Sequence, residues 1–290
     1  MNVIVNRMSF DIEDWFQVEN LKSAVRRDAW DSYPLRVEGS TRAVLEILRE
    51  RQVRATFFFL GWVAERCPDL VKEVQRDGHE IASHGYGHDL IYDMTPEKFR
   101  EDARRAKGIL EDLTGTKVVG YRAPSFTIVE STKWALDVLR EEGFVYDSSV
   151  FPLSWHDRYG FKECDTAPFE WPNGLLELPI AVSRLGGLSL PVGGGGYFRL
   201  FPYAYFRSLL RRSNRLGESF TFYLHPWEFD PEQPRMKVKF SHRFRHYVNL
   251  RETGNRLRRI LGDFQFEPIR DFADCRKRLH AEIATRTGAL

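Results

Sequence analysis

The sequence predicts an α/β protein built as an irregular (β/α) barrel, and three observations predict it. Apolar, aromatic and β-branched runs alternate with amphipathic runs along the first 150 residues. Charged and imidazole side chains gather where the strand-like runs stop, which is where parallel α/β sheets carry function. A chain of 290 residues, 42% apolar and 14% aromatic, can bury one large core, so one domain is expected over 1–290.

The elements follow in order. "VIVNRMSF" reads as a buried first strand, and "STRAVLEILRER" as a helix starting at Ser40 or Thr41. "VRATFFFLG", "WVAERCPDLVKEVQRD" and "HEIASH" continue as strand, helix and strand. "TPEKFREDARRAKGILEDLTG" is a helix opening at Thr95-Pro96, with Phe99, Ala103, Ala106, Ile109, Leu110 and Leu113 on one face. "KVVGYRA", "ESTKWALDVLREEG" and "FVYDSS" complete the regular alternation. From about 150 to 200 the chain becomes rich in Pro, Gly and aromatics, as expected of loops and short strands over the barrel mouth. A helix at about 202–216 and the strand "FTFYLH" follow.

Composition excludes several classes. No apolar run approaches the roughly 20 residues that span a bilayer, and no h-region opens the chain, so a soluble, cytoplasmic protein is expected. Cys67, Cys164 and Cys275 form no CxxC pair and are expected to be buried, reduced and inert. Gly193–Gly196 lacks the Lys-Ser/Thr of a phosphate loop. Arg235 to Arg259 carries nine Lys or Arg against one acid, Glu252. Such a run suits a solvated helix face or an anionic partner; without the aromatic interleaving of single-strand binders, no nucleic acid is expected.

Four strand ends carry chemistry. The first, "SFDIEDWF", crowds Asp11, Glu13 and Asp14. The second, "SHGYGH", sets His84 and His88 four apart, and Gly85 and Gly87 favour a loop turning both rings toward one point. Two histidines and a nearby carboxylate suit zinc with an open position for water. The third, "GYRAPSF", places Arg122 at a buried strand end, where a guanidinium needs a carboxylate, so a purely structural ion pair is the rival reading. In the fourth, "FYLHPWEFD", Pro226 biases His225 away from helix; a hydrogen-bonded structural histidine is the rival there.

Together, "SFDIED", "SHGYGH", "YRAPSF" and "FYLH" resemble the motif series of the polysaccharide deacetylases, the NodB-homology or carbohydrate esterase family 4 enzymes, over residues 1 to about 230. "GGGGYFRLFPY" and "HPWEFDPEQPR" resemble the subgroup of bacterial exopolysaccharide gene clusters. The resemblance implies a seven-stranded NodB-type barrel in 1–230 with a loop-rich insertion over its mouth, and a C-terminal extension, 231–290, packed on it. It also implies Asp11 as catalytic base, His225 as general acid, Arg122 orienting Asp11, and Asp147 of "YDSS" orienting His225.

His84 and His88 would hold a divalent metal, zinc first and Co2+, Ni2+ or Mn2+ as alternatives, with either Glu13 or Asp14 as third ligand. The family's usual first motif has adjacent aspartates, whereas Ile12 follows Asp11 here. Gly85 stands where many relatives carry Ser or Thr. Tyr86, Pro124, Phe126 and Trp227 are expected near substrate, with a backbone N–H near Tyr86 stabilising the oxyanion. Trp155, Trp171, Tyr197 and Phe198 are further aromatics able to face sugar rings.

The implied activity is metal-dependent hydrolytic N-deacetylation of N-acetylhexosamine residues in a bacterial polysaccharide or its lipid-linked precursor. The implied setting is the cytoplasm, with the protein peripheral at the inner membrane beside membrane-bound polysaccharide machinery. An amidohydrolase of small or cyclic amides and a catalytically silent glycan-binding protein are the alternatives.

Overall fold

Why the first strand ends in charge becomes clear from its neighbours. In the computed structural model, which describes residues 4–153, 160–161, 164–185 and 188–276, β1 (Val5–Ile12) is buried from its second residue to its last. Burial on both faces, rather than alternation, marks a central strand of a parallel sheet.

Around it, in chain order, lie α1 (Val37–Arg51), β2 (Thr56–Phe59), α2 (Gly61–Arg66), α3 (Pro68–Arg76), β3 (Glu80–Ser83), α4 (Pro96–Thr114), β4 (Gly120–Tyr121), α5 (Ala135–Glu141) and β5 (Tyr146–Asp147). Then come β6 (Phe169–Glu170), β7 (Leu176–Glu177), the hairpin β8 (Val182–Leu185) and β9 (Leu188–Pro191), α6 (Gly195–Leu200), α7 (Tyr203–Arg215), β10 (Thr221–Leu224), α8 (Phe240–Tyr247), α9 (Thr253–Asp263) and β11 (Gln265–Glu267).

The strand order β10–β1–β2–β3–β4–β5–β7 has every neighbouring pair parallel. A parallel bridge between Ile180, just past β7, and Thr221 of β10 brings the two ends together. The result is an α/β fold with a strongly curled sheet, the irregular (β/α) barrel expected. One bridge and two-residue strands at β4, β5 and β7 account for its irregularity. The segment expected to hold loops and short strands over the mouth therefore supplies β7, a strand of the barrel itself.

Two helix boundaries differ from the sequence reading for physical reasons. The first helix begins at Val37, not Ser40 or Thr41, because the Asp14 carboxylate accepts from the backbone N–H groups of Arg36 (2.7 Å) and Val37 (3.0 Å). A carboxylate there satisfies orphan donors and meets the positive end of the helix dipole. The run expected as one helix over "WVAERCPDLVKEVQRD" is two, α2 and α3, because Pro68 opens the second. At Thr95 the expected cap forms, its hydroxyl accepting from Lys98 N.

The last described segment closes the opposite end of the barrel. β11 pairs in parallel with Val5–Arg7 of β1, Ile269 N donates to Thr56 Oγ1 (2.8 Å), and Arg270 N donates to the buried Glu80 carboxylate (2.9 Å). Among the described residues, no helix is long and apolar enough to cross a membrane.

Candidate active site

Strand C-termini converge on one cleft of about 880 Å³, lined by Asp11, Glu13, His84, His88, His225 and Trp227 among others. Asp11 sits one residue before the end of β1, while His84, Arg122 and His225 each follow the last residue of β3, β4 and β10. Sheet register therefore fixes their relative heights.

Arg122 is wholly buried and donates through Nη1 to Asp11 Oδ1 (2.6 Å) and Ser9 Oγ (2.8 Å). Its Nε and Nη2 reach the Ser148 carbonyl (3.0 Å) and hydroxyl (2.9 Å). Every arm of the guanidinium is thus held, and Asp11 keeps Oδ2 for the cleft, 3.9 Å from His225 Nε2.

His225 is gripped from behind. Glu228 Oε1 accepts from both the His225 backbone N–H (3.0 Å) and Nδ1 (2.9 Å), and Glu228 Oε2 accepts from the buried Arg199 (2.6 Å). Arg199 also donates to the carbonyls of Arg245, His246 and Val248. The His225 ring stacks on Trp227, which stacks on His246. With Nδ1 occupied, only Nε2 points at the cleft, 3.1 Å from Glu13 Oε1. Burial disfavours its charged form, but Glu13, Glu228 and Asp11 outweigh burial and lift its pKa to about 9.

Asp147 does not take the place expected for it. It accepts from Ser149 N and Oγ and bonds to Glu177, while Glu228 occupies the His225 Nδ1 position. The reason is local: Pro226 starts a one-turn 3-10 helix, and an acid at its third position folds back onto its cap residue. The signal was present in "HPWE", three residues past the histidine. Arg199, on α6, had no comparable sequence signal.

Of the two acids left open at the first strand, the structure brings Glu13 to the histidines. Glu13 Oε2 lies 3.0 Å from His88 Nε2, while Asp14 is spent on Trp15 N, Arg36 N and Val37 N. His84 Nδ1 lies 2.8 Å from the Arg122 carbonyl, so it carries the proton and Nε2 keeps its lone pair. Burial and the neighbouring His88 drive the His84 pKa down to about 3, leaving the ring neutral. The two rings stand 5.5 Å apart at their centres. Gly85 (φ 72°) and His88 (φ 58°) both adopt the left-handed conformation that turns this loop tightly.

Glu13, His84 and His88 offer donor types that a divalent metal takes. Glu13 Oε2 is buried with no hydrogen-bond partner among the described residues, despite lying beside His88. Two imidazoles and a carboxylate are a borderline-soft set suited to zinc-like ions. Among the described residues no three such groups are already closed into a cage, and Glu13 instead bridges His88 and His225.

The expected substrate contacts divide. Phe126 and Trp227 line the cleft, as does Tyr197. Pro124 is buried and begins the turn that puts Ser125 (φ 52°) and Phe126 (φ 56°) in left-handed backbone at the cleft. Tyr86 corrects the sequence reading: its N–H donates to Asp102 (2.8 Å) and its hydroxyl to Glu65 (2.7 Å), so neither faces the cleft as an oxyanion donor. Phe198 packs on Phe206 and Phe222, and Trp171 donates to Glu177, both in the core. Trp155 lies outside the described residues. In the glycine run, a Cβ on Gly194 would lie 1.8 Å from the Tyr223 carbonyl of β10, and Gly195 and Gly196 line the cleft.

The cysteines also divide. Cys67 is buried, Cys164 is partly buried and Cys275 is exposed. Burial pushes the first two thiols up to about 11 and about 12.

The fold and the convergence of acids and histidines at its strand ends place the chain among (β/α) barrel proteins with a site at the strand C-termini. More particularly, it carries a polysaccharide deacetylase domain of the NodB, carbohydrate esterase family 4 kind. Residues 29–145 match the polysaccharide deacetylase family model, and residues 148–274 match a domain of unknown function (DUF3473).

A peptidoglycan-N-acetylglucosamine deacetylase of Bacillus cereus is 38% identical over 137 residues, covering 47% of this chain and 56% of that protein. A chitooligosaccharide deacetylase of Azorhizobium caulinodans is 33% identical over 116 residues, covering 40% and 51%. The match spans about half the length of these curated relatives. Among solved structures, a Mycobacterium smegmatis protein provisionally assigned as a polysaccharide deacetylase superposes with TM-score 0.62 at 21% identity, over 95% of this chain and 91% of that one. Puue allantoinase superposes with TM-score 0.60 at 17% identity, over 93% and 89%. Both likenesses show the fold.

Proposed function

We propose that this protein hydrolyses the acetamide of N-acetylhexosamine residues in a bacterial glycan, of the exopolysaccharide kind its C-terminal motifs resemble, or in its lipid-linked precursor. One observation carries the reading: a carboxylate fixed by Arg122 and an imidazole fixed by Glu228 face each other across Glu13, His84 and His88 at the floor of one cleft.

Glu13, His84 and His88 would hold a divalent metal, most simply Zn2+, with Co2+, Ni2+ or Mn2+ as substitutes. Such a centre supplies Lewis-acid polarisation of a carbonyl and acidification of water. Asp11 accepts the water proton at Oδ2, because Oδ1 is engaged by Arg122. His225 delivers a proton from Nε2 to the departing nitrogen, because an amine leaves poorly until protonated and Glu228 holds Nδ1. Arg122 and Glu228 are positioning residues in this scheme.

A polymer suits the surface better than a small amide. A second cavity of about 750 Å³ shares Val18, Glu19 and His88 with the first, so further concave surface adjoins the site. The named activities of the relatives, on peptidoglycan and chitooligosaccharide, agree with such a substrate.

The test is acetate release from N-acetylglucosamine oligomers by metal-loaded protein, with metal content measured on the same sample. Asp11→Asn should lose at least about 10²-fold in rate while keeping its metal. Unchanged release by that variant would defeat the role of Asp11. Turnover of cyclic or small amides alone would favour the amidohydrolase reading, and oligosaccharide binding with no release under any metal would favour a silent glycan-binding protein.

A further inference from the structure

Many cations on this protein's surface meet an acid. Arg36 meets Asp230, Arg42 meets Glu73, Arg49 meets Asp77, Arg66 meets Asp31, Arg104 meets Glu142 and Arg258 meets Glu50. One rim of the main cleft gathers four that do not. Lys237, Lys239, Arg243 and Arg245 are all exposed and, among the described residues, none has an acidic partner within 4.0 Å.

The same rim carries two large apolar side chains in water. Phe240 is 82% and Phe244 48% exposed, one helical turn apart on α8, their rings 6.2 Å apart and nearly parallel. Leu200, 44% exposed on α6, continues this apolar edge, and all three line the cleft. The face is therefore apolar at its crest and cationic on its flanks. Those are the two components by which an interfacial helix holds an anionic bilayer: apolar insertion below the headgroups and attraction to their phosphates.

We infer that α8 and the segment just before it dock on an anionic membrane surface, with Phe240 and Phe244 inserted and Lys237, Lys239 and Arg243 among the headgroups. Docking in this pose sets the mouth of the cleft against the lipid plane. The helix is not loosely attached, since the carbonyls of Arg245, His246 and Val248 all receive Arg199, so the docking face and the cleft wall move as one piece. A lipid-linked glycan would then meet the site without leaving the membrane, a consequence that rests on the proposed function. The docking itself does not.

Co-sedimentation of the full chain with vesicles tests it with no activity readout. Vesicles containing about a third phosphatidylglycerol in phosphatidylcholine should retain the protein, and pure phosphatidylcholine should not. Phe240→Ser with Phe244→Ser should lower retention at least about tenfold, given the transfer energy of one phenyl ring. Lys237→Glu with Arg243→Glu should lower it by at least as much. All four positions are exposed, and unchanged circular dichroism would confirm that the variants fold.

No retention on anionic vesicles overturns the inference. So does retention indifferent to the phenylalanines, which would be plain adsorption of cations. Displacement of the protein from vesicles by a soluble acidic oligosaccharide at matched charge concentration would reassign the face to glycan binding.

Discussion

Two groups of buried carboxylates lie at the same end of this barrel, and they are built on opposite principles. At the cleft, Asp11, Glu13 and Glu228 each face a cation or an imidazole: Arg122, His88 with His225, and Arg199 with His225. In the core beside β5 and β7, Asp147 and Glu177 face each other. Burial pushes Glu13, Glu228, Asp147 and Glu177 toward their neutral forms. At Glu13 and Glu228 the neighbouring positive charges win and hold the pKa below its ordinary value. At the second pair the hydrogen bonds from Ser149, Val150 and Trp171 do not outweigh burial, so Asp147 rises to about 6 and Glu177 well above its ordinary value. Burial alone thus makes a structural acid. A functional one needs burial, an opposing charge and an open side.

The largest expected effect separates the two groups at once. Arg122→Met removes the cation that fixes Asp11, leaving a buried carboxylate without its paired guanidinium. Loss of one partner of a buried pair costs about 3–5 kcal/mol of stability. Acetate release should fall at least about 10²-fold, since the base is then no longer held in place. Denaturant midpoints and single-substrate kinetics on one preparation check both. A variant that lost stability but kept its rate would put Arg122 in the purely structural class.

Glu228→Gln should be next in size. The amide oxygen can still accept from one neighbour, but Arg199 is left buried without its counter-charge and His225 without an anion at Nδ1. The rate constant for acetate release should drop about 10²-fold, with KM little changed, because the acid is displaced and the groove is not. Asp147→Asn is the matched control: stability should shift by about 1–3 kcal/mol with the rate nearly unaltered. If Asp147→Asn lowers the rate as far as Glu228→Gln does, the division drawn between the two groups fails.

How much of this was legible in the sequence depends on range. The barrel was legible because alternation of apolar period is a local signal, repeated at each unit. Strand-end charges were legible because a strand that stops in Asp, His or Arg violates the pattern of its own burial. What stayed hidden were choices made by distant backbone. Asp14 could be set aside from Glu13 only once the start of α1, 22 residues away, was seen to use its carboxylate. Tyr86 left the site because Asp102 takes its N–H. Glu228, by contrast, was written in local code, as an acid folding back on the residue that caps a Pro-initiated turn.

The shared proton of Asp147 and Glu177 makes a pH prediction with a definite sign. A carboxyl whose folded pKa is raised keeps its proton while the unfolded chain has released its own. Stability is then fully present below the unfolded value of 4.5 and falls as pH rises toward the folded one. The slope approaches about 1.4 kcal/mol per pH unit. Glu177→Gln can still donate to Asp147 but has no proton to lose, so its stability should be flatter than the parent's between pH 5 and 7. Equal slopes in urea titrations of the two proteins would show that the pair is not the source.

The smallest effect comes from a histidine far from the cleft and has the opposite sign. His79 precedes β3, is nearly buried, and accepts at Nδ1 from the Ala55 N–H (3.2 Å), while its Nε2 has no partner among the described residues. Burial lowers its pKa from 6.5 to about 4, with the nearby Asp77 resisting the change. The unfolded chain therefore binds a proton first as pH falls, so the stability that neutral His79 contributes is present above pH 6.5 and is lost progressively on the way down to about 4. His79→Asn places an amide oxygen near the position of Nδ1 and keeps the bond to Ala55 while removing the titration. The variant should be less pH-sensitive than the parent between 6.5 and 4, with similar stability above 7. Because the carboxyl pair weakens the fold on the alkaline side and His79 on the acidic side, combining His79→Asn with Glu177→Gln should flatten both limbs independently. The two sites share no partner, so their effects should add to within about 0.5 kcal/mol, and a larger departure would mean that the two ends of the barrel are coupled through the sheet.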